Sequence, residues 1–359
     1  MARITFENIR HAYPPPKGQP PVYALKEINQ VWEDGGAYAL LGPSGCGKTT
    51  LLNIISGLLM PSEGKIFFAE EEVTHLPTAA RQIAQVFQFP VVYDTMTVFD
   101  NLAFPLRNRG VAEALVKQRV AQIAEMLDLT DRLKQRASGL TADGKQKISL
   151  GRGLVRADVN AILFDEPLTV IDPHLKWQLR SKLKELHQQI GMTMIYVTHD
   201  QVEAMTFAEQ VLVMHDGSVV QVGTPVELFN QPQHTFVGYF IGSPGMNVLP
   251  CTLDSGQPVF GNHQLQTSYP VTGDVPGRTE VGVRPEFVYF AEDGIPVSIE
   301  KIEDLGRYKV VTLNHEAEVI KMVISEGQEV PSLRPMIRFD PDYTRIYCDD
   351  WLIQGKNNE

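Results

Sequence analysis

The stretch GPSGCGKTT, residues 42–50, has the residue types and spacing of a polyphosphate cradle: Gly42, four residues, then Gly47-Lys48-Thr49. Gly45 and Gly47 let the backbone wrap an anion without a Cβ clash. The loop N–H groups, from Ser44 and Cys46 through to Thr50, and the start of the following helix face phosphate oxygens. Lys48 then reaches the β- and γ-phosphates, and the Thr49 hydroxyl is placed to ligate Mg²⁺. Further on, AILFDEP sets Asp165 and Glu166 at the end of an apolar run. An acid there suits a Mg²⁺ site, which makes Asp165 a candidate metal residue. Glu166 is a candidate general base for an attacking water. YVTHD closes another apolar run with His199. The C-terminal end of a parallel-type strand is where ligand sites of α/β sheets lie.

Such groups need a sheet and helices to hold them. AYALL precedes the glycine loop, and residues 48–58 read as a helix after it. AILF (161–164) and MIYV (194–197) are short apolar runs expected to be buried parallel strands. Residues 112–128 carry an apolar seam at Val116, Val120, Ile123 and Leu127, and residues 174–190 another at Leu175, Leu179, Leu183, Leu186 and Ile190. Both have helical spacing. VLVMHDGSVVQVG predicts a hairpin turning at Asp216-Gly217. The proline-rich YPPPKGQPPVY, after the strand RITFENI, is expected as an edge or loop. Alternating strands and helices run to about residue 235, an α/β domain over 1–235. Short strands and turns such as Glu292-Asp293-Gly294 then predict a small β-rich domain over 236–359.

Bulk properties narrow the classes. A chain of 359 residues accommodates about two domains. A net charge of −11 argues against nucleic acid as the main partner. Cys46, Cys251 and Cys348 do not make a disulfide framework, so a reducing compartment is expected. The N-terminal MARITFENIRHAY has no apolar signal core, and no run of about 18 apolar residues occurs. Any membrane role is expected to come through a partner.

With these motifs in place, the chain resembles the ATP-binding cassette ATPases that drive carbohydrate and polyol importers. The resemblance implies a nucleotide-binding domain with a helical subdomain, followed by a small β-rich, OB-like regulatory domain. Gln88, in AQVFQ, falls on the family's Q-loop glutamine, a catalytic and Mg²⁺-site residue. FDEP matches its Walker B acid and catalytic glutamate. Asp172, closing LTVIDP, falls on the D-loop, His199 on the switch histidine, and Tyr13 on the aromatic that stacks on adenine. VGVRPEFV, IEDLGRYKVVTL and IRFDPDYTRIYCDD resemble elements of the regulatory domain. The resemblance implies ATP and Mg²⁺, two transmembrane permease subunits, an extracytoplasmic solute-binding protein acting indirectly, and a peripheral place on the cytoplasmic face of the inner membrane. Within the subclass the chain is similar to ATPases of glycerol and glycerol-phosphate importers. Residues 88–104 are the expected contact with the membrane subunits. A regulatory, weakly hydrolytic subunit of the same complex is the alternative. A soluble cassette acting on ribosomes or DNA is disfavoured, because neither a fused second cassette nor a long coiled-coil insert is present.

One segment departs from the pattern. The family opens a helix with Leu-Ser-Gly-Gly-Gln, which contacts the γ-phosphate held by the opposite subunit. Anchoring on KQKISLGR places Leu140-Thr141-Ala142-Asp143-Gly144 there. A second register, Ala137 to Thr141, needs three extra residues before the helix. In the first register Thr141 replaces the serine, whereas Asp143 brings a carboxylate towards phosphate and occupies the helix N-terminus that should receive it. Thr141 or Asp143 is also a natural helix cap. A homodimer would pair a complete ATP-holding half with a weakened donated half at both sites, so a second, unlike ATPase subunit is the more economical partner.

Overall fold

The computed structural model describes residues 2–353, apart from 16, 17, 19, 157, 272–274, 332 and 333. Part of the proline-rich loop (residues 16, 17 and 19) and the last six positions of the expected second domain therefore lie outside the described residues. The chain divides into two compact units, Met1–Pro225 and Val226–Glu359.

In chain order the first unit contains β1 (Ile4–Ala12), β2 (Tyr23–Trp32), β3 (Ala37–Leu41), α1 (Lys48–Ser56), β4 (Glu63–Phe68), β5 (Glu71–Glu72) and β6 (Ile83–Val86). It continues with α2 (Val98–Arg107), α3 (Glu113–Met126), α4 (Ala142–Leu154), β7 (Ala161–Asp165), α5 (Pro173–Ile190), β8 (Met194–Thr198), α6 (Gln201–Phe207), β9 (Gln210–His215) and β10 (Ser218–Gly223). Six strands form one sheet in the order β10-β9-β3-β8-β7-β6. All neighbours are parallel except β9 and β10, which make the expected hairpin. Asp216 and Gly217 both take positive φ, 45° and 77°, as a tight hairpin turn requires. A second, antiparallel sheet has the order β2-β1-β4-β5. It includes β2, whose mixed charged and apolar residues gave no clean strand signal.

Helix α1 lies in the core between these sheets. Leu51, Leu52, Ile54 and Ile55 pack with Ile4, Phe6 and Ile9 of β1 and with Leu40, Leu163, Ile195, Val197 and Leu212 of the parallel sheet. The alternate residues of the parallel strands serve the other face, where Phe164, Tyr196 and Phe207 form a ring cluster at 5.1 to 6.0 Å. The C-terminal end of α1 is closed by Arg81, which is 1% exposed. Its guanidinium donates to the carbonyls of Ile54, Ile55, Thr74 and Leu76 at 2.7 to 3.0 Å. Burial lowers its pKa, and the carbonyl end of the helix is the favourable place for such a cation.

Helices α2, α3 and α4 form a helical arm. The seam Val116, Val120, Ile123 and Leu127 is fully buried, as its spacing predicts. Gly151 lets α4 approach α2, since a Cβ there would lie 2.4 Å from the Leu102 side chain. On α5, Leu179, Leu183 and Leu186 are buried, but Leu175 and Ile190 are only half-buried. Those two fall at the ends of the helix, where fewer neighbours cover them.

The second unit has two short helices at its start, Pro225–Asn230 and Thr235–Phe240, and continues in short antiparallel strands. Asn247–Pro250, Thr279–Val283, Arg345–Cys348 and Trp351–Leu352 form a four-stranded sheet. Ser298–Asp304, Tyr308–His315 and Glu318–Ser325 form a three-stranded one. Its apolar core includes Leu249, Val281, Val311, Leu313, Met322 and Ile337. The change of unit falls ten residues before the change in sequence texture. The reason is Arg284: its buried guanidinium donates to the carbonyls of Leu228, Phe229, Gly238 and Ile241, fastening residues 226–241 to the β-rich unit.

Candidate active site

The glycine loop bridges β3 and α1. Gly47 is the N-cap of α1 at φ 102°, and Gly45 has φ 84°. Both values lie in the region that favours glycine. A Cβ on Gly47 would come within 2.6 Å of Leu25 Cδ2 and 2.7 Å of the Ala24 carbonyl, and one on Gly42 within 2.3 Å of the Met214 carbonyl. The loop is thus cramped on its protein side, while Ser44 and Gly45 are exposed on the other. Lys48 is 5% exposed, and its Nζ donates to the carbonyls of Gly42 (2.8 Å) and Pro43 (2.9 Å). Cys46 turns its thiol into the core, where burial raises the pKa. Only its backbone can face a ligand.

The ends of β7 and β8 meet this loop. Thr49 Oγ1 donates to Asp165 Oδ1 at 3.3 Å, which joins the two residues read as a metal site. Burial raises the Asp165 pKa, and the Glu166 charge adds to it against the Thr49 hydrogen bond and Lys48. Glu166 has φ 46°, a left-handed backbone that costs a non-glycine residue about 1–2 kcal/mol. Its N–H donates to the Val197 carbonyl at 3.0 Å, which holds the strained turn. Its carboxylate accepts from Gln88 Nε2 (3.4 Å), Thr169 Oγ1 (3.3 Å) and His199 Nδ1 (3.0 Å). A carboxylate accepts, so His199 makes this contact with Nδ1 as the donor.

The structure therefore brings together Lys48, Thr49, Gln88, Asp165, Glu166 and His199. Thr169 joins them unforeseen. Its signal was its position three residues after Glu166, where a turn returns the hydroxyl to the carboxylate. Tyr13 is half-exposed, its hydroxyl 3.1 Å from Thr50 Oγ1 and its ring edge-on to His11 at 4.7 Å. It is thereby tied to the first turn of α1. Asp172 is not drawn into the cluster: it caps α5, its carboxylate accepting from the His174 N–H at 2.9 Å.

Helix α4 opens at Ala142, and Thr141 Oγ1 caps it by accepting from the Gly144 N–H at 3.3 Å. Ala137–Gly139 form a short 3-10 turn ahead of it. Asp143 lies in the first turn, with Oδ1 buried and without a hydrogen-bond partner. Beside the Gln88 loop, a cavity of about 300 Å³ is lined by Phe87, Val91, Phe104, Arg152 and Arg156, among others. Phe87, Phe89, Val91 and Tyr93 are exposed, and Phe87 and Val91 line this cavity.

Comparison with known proteins finds relatives of the whole chain and of its first unit. The ABC transporter family matches residues 25–169. The trehalose/maltose import ATP-binding protein MalK of Thermococcus litoralis is 41% identical over 314 residues, covering 81% of this chain and 84% of its own. The sn-glycerol-3-phosphate import ATP-binding protein UgpC of Ruegeria pomeroyi is 38% identical over 352 residues, covering 98% and 97%. The ATP-binding cassette MJ0796, solved as a dimer in a post-hydrolysis state with ADP and Pi, superposes with a TM-score of 0.56 at 26% identity, over 62% of this chain and 98% of its own. A glycine cradle, a Thr49–Asp165 pair and a triply held Glu166, at such identity over four-fifths or more of the chain, lead to one conclusion: the protein belongs to the ABC transporter family, as an ATPase of the kind that couples ATP hydrolysis to import.

Proposed function

We propose that the chain powers import of a polyol or sugar-like solute, with glycerol favoured, and that its hydrolytic site is built on Lys48, Thr49, Gln88, Asp165, Glu166 and His199. The observation that carries this is the carboxylate of Glu166, held at three points one residue beyond the Thr49–Asp165 pair. Gly42–Thr50 cradle the phosphates, and Tyr13 covers the adenine. Asp172 acts beside the bound nucleotide from the cap of α5. Thr49 and Asp165, with Gln88 near them, present hard oxygen ligands that suit Mg²⁺. When bound, the ion would neutralise charge on the β- and γ-phosphates. Glu166 accepts a proton from the attacking water. Gln88 and Thr169 fix its second oxygen, and the Nδ1–H of His199 orients the first.

The helix opening at Ala142 favours a reading in which residues 140–144 face the nucleotide of the opposite subunit. Asp143 weakens that face, so an unlike ATPase subunit with an intact motif is the economical partner. The relatives' names speak of sn-glycerol 3-phosphate and of trehalose and maltose. The solute itself does not touch this subunit. Among the described residues no helix is long and apolar enough to cross a membrane. The chain is read as peripheral, at the cytoplasmic face of the inner membrane, on two permease subunits fed by an extracytoplasmic solute-binding protein. The exposed apolar residues at 87–93 support that contact. The β-rich unit is read as an OB-like regulatory domain.

Uptake of labelled glycerol, glycerol 3-phosphate and trehalose in cells lacking the chain, with and without complementation, tests the solute. Glycerol uptake is expected to depend on it. Loss of trehalose uptake alone would refute the polyol assignment. Co-purification from detergent-solubilised membranes tests the partner, and recovery with permeases but with no unlike ATPase would refute the heterodimer.

A further inference from the structure

Gln146 lies on α4, a few residues after the Thr141 cap, and is completely buried. Its Nε2 donates both hydrogens to backbone carbonyls: Phe87 O at 3.2 Å and Pro167 O at 2.8 Å. Phe87 immediately precedes Gln88, and Pro167 immediately follows Glu166. One amide group thus fastens the chain neighbours of two side chains that meet at 3.4 Å. The amide orientation is unambiguous, since reversal would set its oxygen against two carbonyls. Its Oε1 is buried and has no partner. Leaving a buried acceptor unsatisfied costs stability, so the site uses this side chain for its pair of N–H groups. An uncharged side chain with two N–H groups on one nitrogen is an amide alone.

The same helix is joined to the segment after Gln88 elsewhere. Ser149 Oγ accepts from the Val91 N–H at 3.3 Å, Arg152 Nη1 donates to the Val91 carbonyl at 2.6 Å, and Lys145 pairs with Asp94 at 2.7 Å. Gln146 adds the link across to the segment that carries Glu166. We propose that Gln146 is a positioning residue through which the placement of α4, and so the engagement of its 140–144 opening, sets the alignment of Gln88 and Glu166 in the same chain. Engagement of one composite site is thereby reported to the hydrolytic pair of the other. This rests on the roles given above to Glu166, Gln88 and residues 140–144.

The test is a double-mutant cycle in the full-length chain within its assembled transporter. Gln146→Met keeps the side-chain length and removes both donors. The expected result is a fall in kcat of about 10- to 100-fold, the scale of a misaligned reacting group, with KM for ATP nearly unchanged. In a Gln88→Ala background the same substitution should cost clearly less, because the share of the loss that passes through Gln88 is already gone. An equal loss in both backgrounds, or an unchanged kcat, would overturn the proposal. If Gln146→Met does not fold, Gln146→Asn carries the same cycle, since it keeps both N–H groups but withdraws them by one methylene. A wild-type kcat in that variant, or failure of both to fold, would assign Gln146 to packing and end the proposal. Glu166→Gln is the control: turnover persisting there would remove Glu166 as base without bearing on the Gln146 link.

Discussion

Neutralising Asp143 should improve the composite site that residues 140–144 are proposed to complete. The substitution is Asp143→Asn, which removes the charge and leaves the backbone alone. Thr141 continues to cap α4 through the Gly144 N–H. A unit charge 4 Å from a phosphate charge at an effective dielectric near 20 costs about 4 kcal/mol. Against this, an acid in the first turn contributes about 0.3–1 kcal/mol to its helix. The difference is of order 3 kcal/mol, or about 100-fold at roughly 1.4 kcal/mol per factor of ten. Asp143 is itself partly exposed although its Oδ1 is buried, so solvent screening trims this towards ~10-fold. The assay is ATP turnover of the assembled transporter in a Lys48→Ala background, where the site built on this chain's own loop is silent. Lys48→Ala alone should abolish most activity, and adding Asp143→Asn should raise the remainder by about tenfold. Two results would refute the reasoning. If Lys48→Ala leaves turnover largely intact, the main site lies on the partner's loop and LTADG is a working phosphate contact. If Asp143→Asn lowers the remaining turnover, the carboxylate aids the site it was taken to impair.

Three further outcomes are expected. Glu166→Gln should keep ATP binding and lower turnover by about 10²- to 10⁴-fold, the range of a general base; size-exclusion chromatography with ATP should show a closed dimer accumulating, and near-normal activity would exclude Glu166 as the base. Asp165→Asn should abolish turnover yet raise Tm in the absence of Mg²⁺ and nucleotide. The sign follows from the raised Asp165 pKa: the folded state disfavours the carboxylate, so stability from this group increases as pH falls through the folded pKa and is lost above it. A lower Tm in differential scanning calorimetry would contradict that. Cysteines placed at Tyr93 or Thr95 should crosslink to a membrane subunit, and their consistent failure to do so would remove residues 88–104 as the contact.

The glycine loop was legible because its requirements are local: Gly42, Gly45, Gly47, Lys48 and Thr49 lie within eight positions, and β3, β7 and β8 announce themselves as apolar runs. The Asp216-Gly217 turn was legible for the same reason. Contacts joining distant segments were not. Gln146 sits in a polar stretch, KQK, where nothing distinguishes a buried amide from a solvated one. Thr169 needed the left-handed turn at Glu166 to bring its hydroxyl back. β2 was obscured because register shifts against β1 set its buried residues, Leu25, Ile28 and Trp32, three and four apart, which breaks a strand's period of two. The extent of the β-rich unit depended on Arg284 reaching carbonyls more than forty positions earlier, a bond no local pattern encodes.

Arg81 carries a genetic consequence. It closes one end of α1, while Lys48 and Thr49 stand at the other, about 13 Å away at 1.5 Å per residue. Ile54 O keeps the Gly57 N–H, but Arg81's loss would take a donor from the carbonyls of Ile55, Thr74 and Leu76, at about 1–3 kcal/mol for each left unsatisfied, against a total stability of about 5–15 kcal/mol for a domain of ordinary kind. A chain with Arg81→Ala would assemble in the cold and fail on warming. The last turn of α1 would loosen first, and the phosphate cradle would slacken with it. Such an allele would be scored as heat-sensitive growth on the transported solute and would map to a residue remote from any phosphate. Raising intracellular ATP would partly suppress it, because ligand binding draws the population back to the folded form.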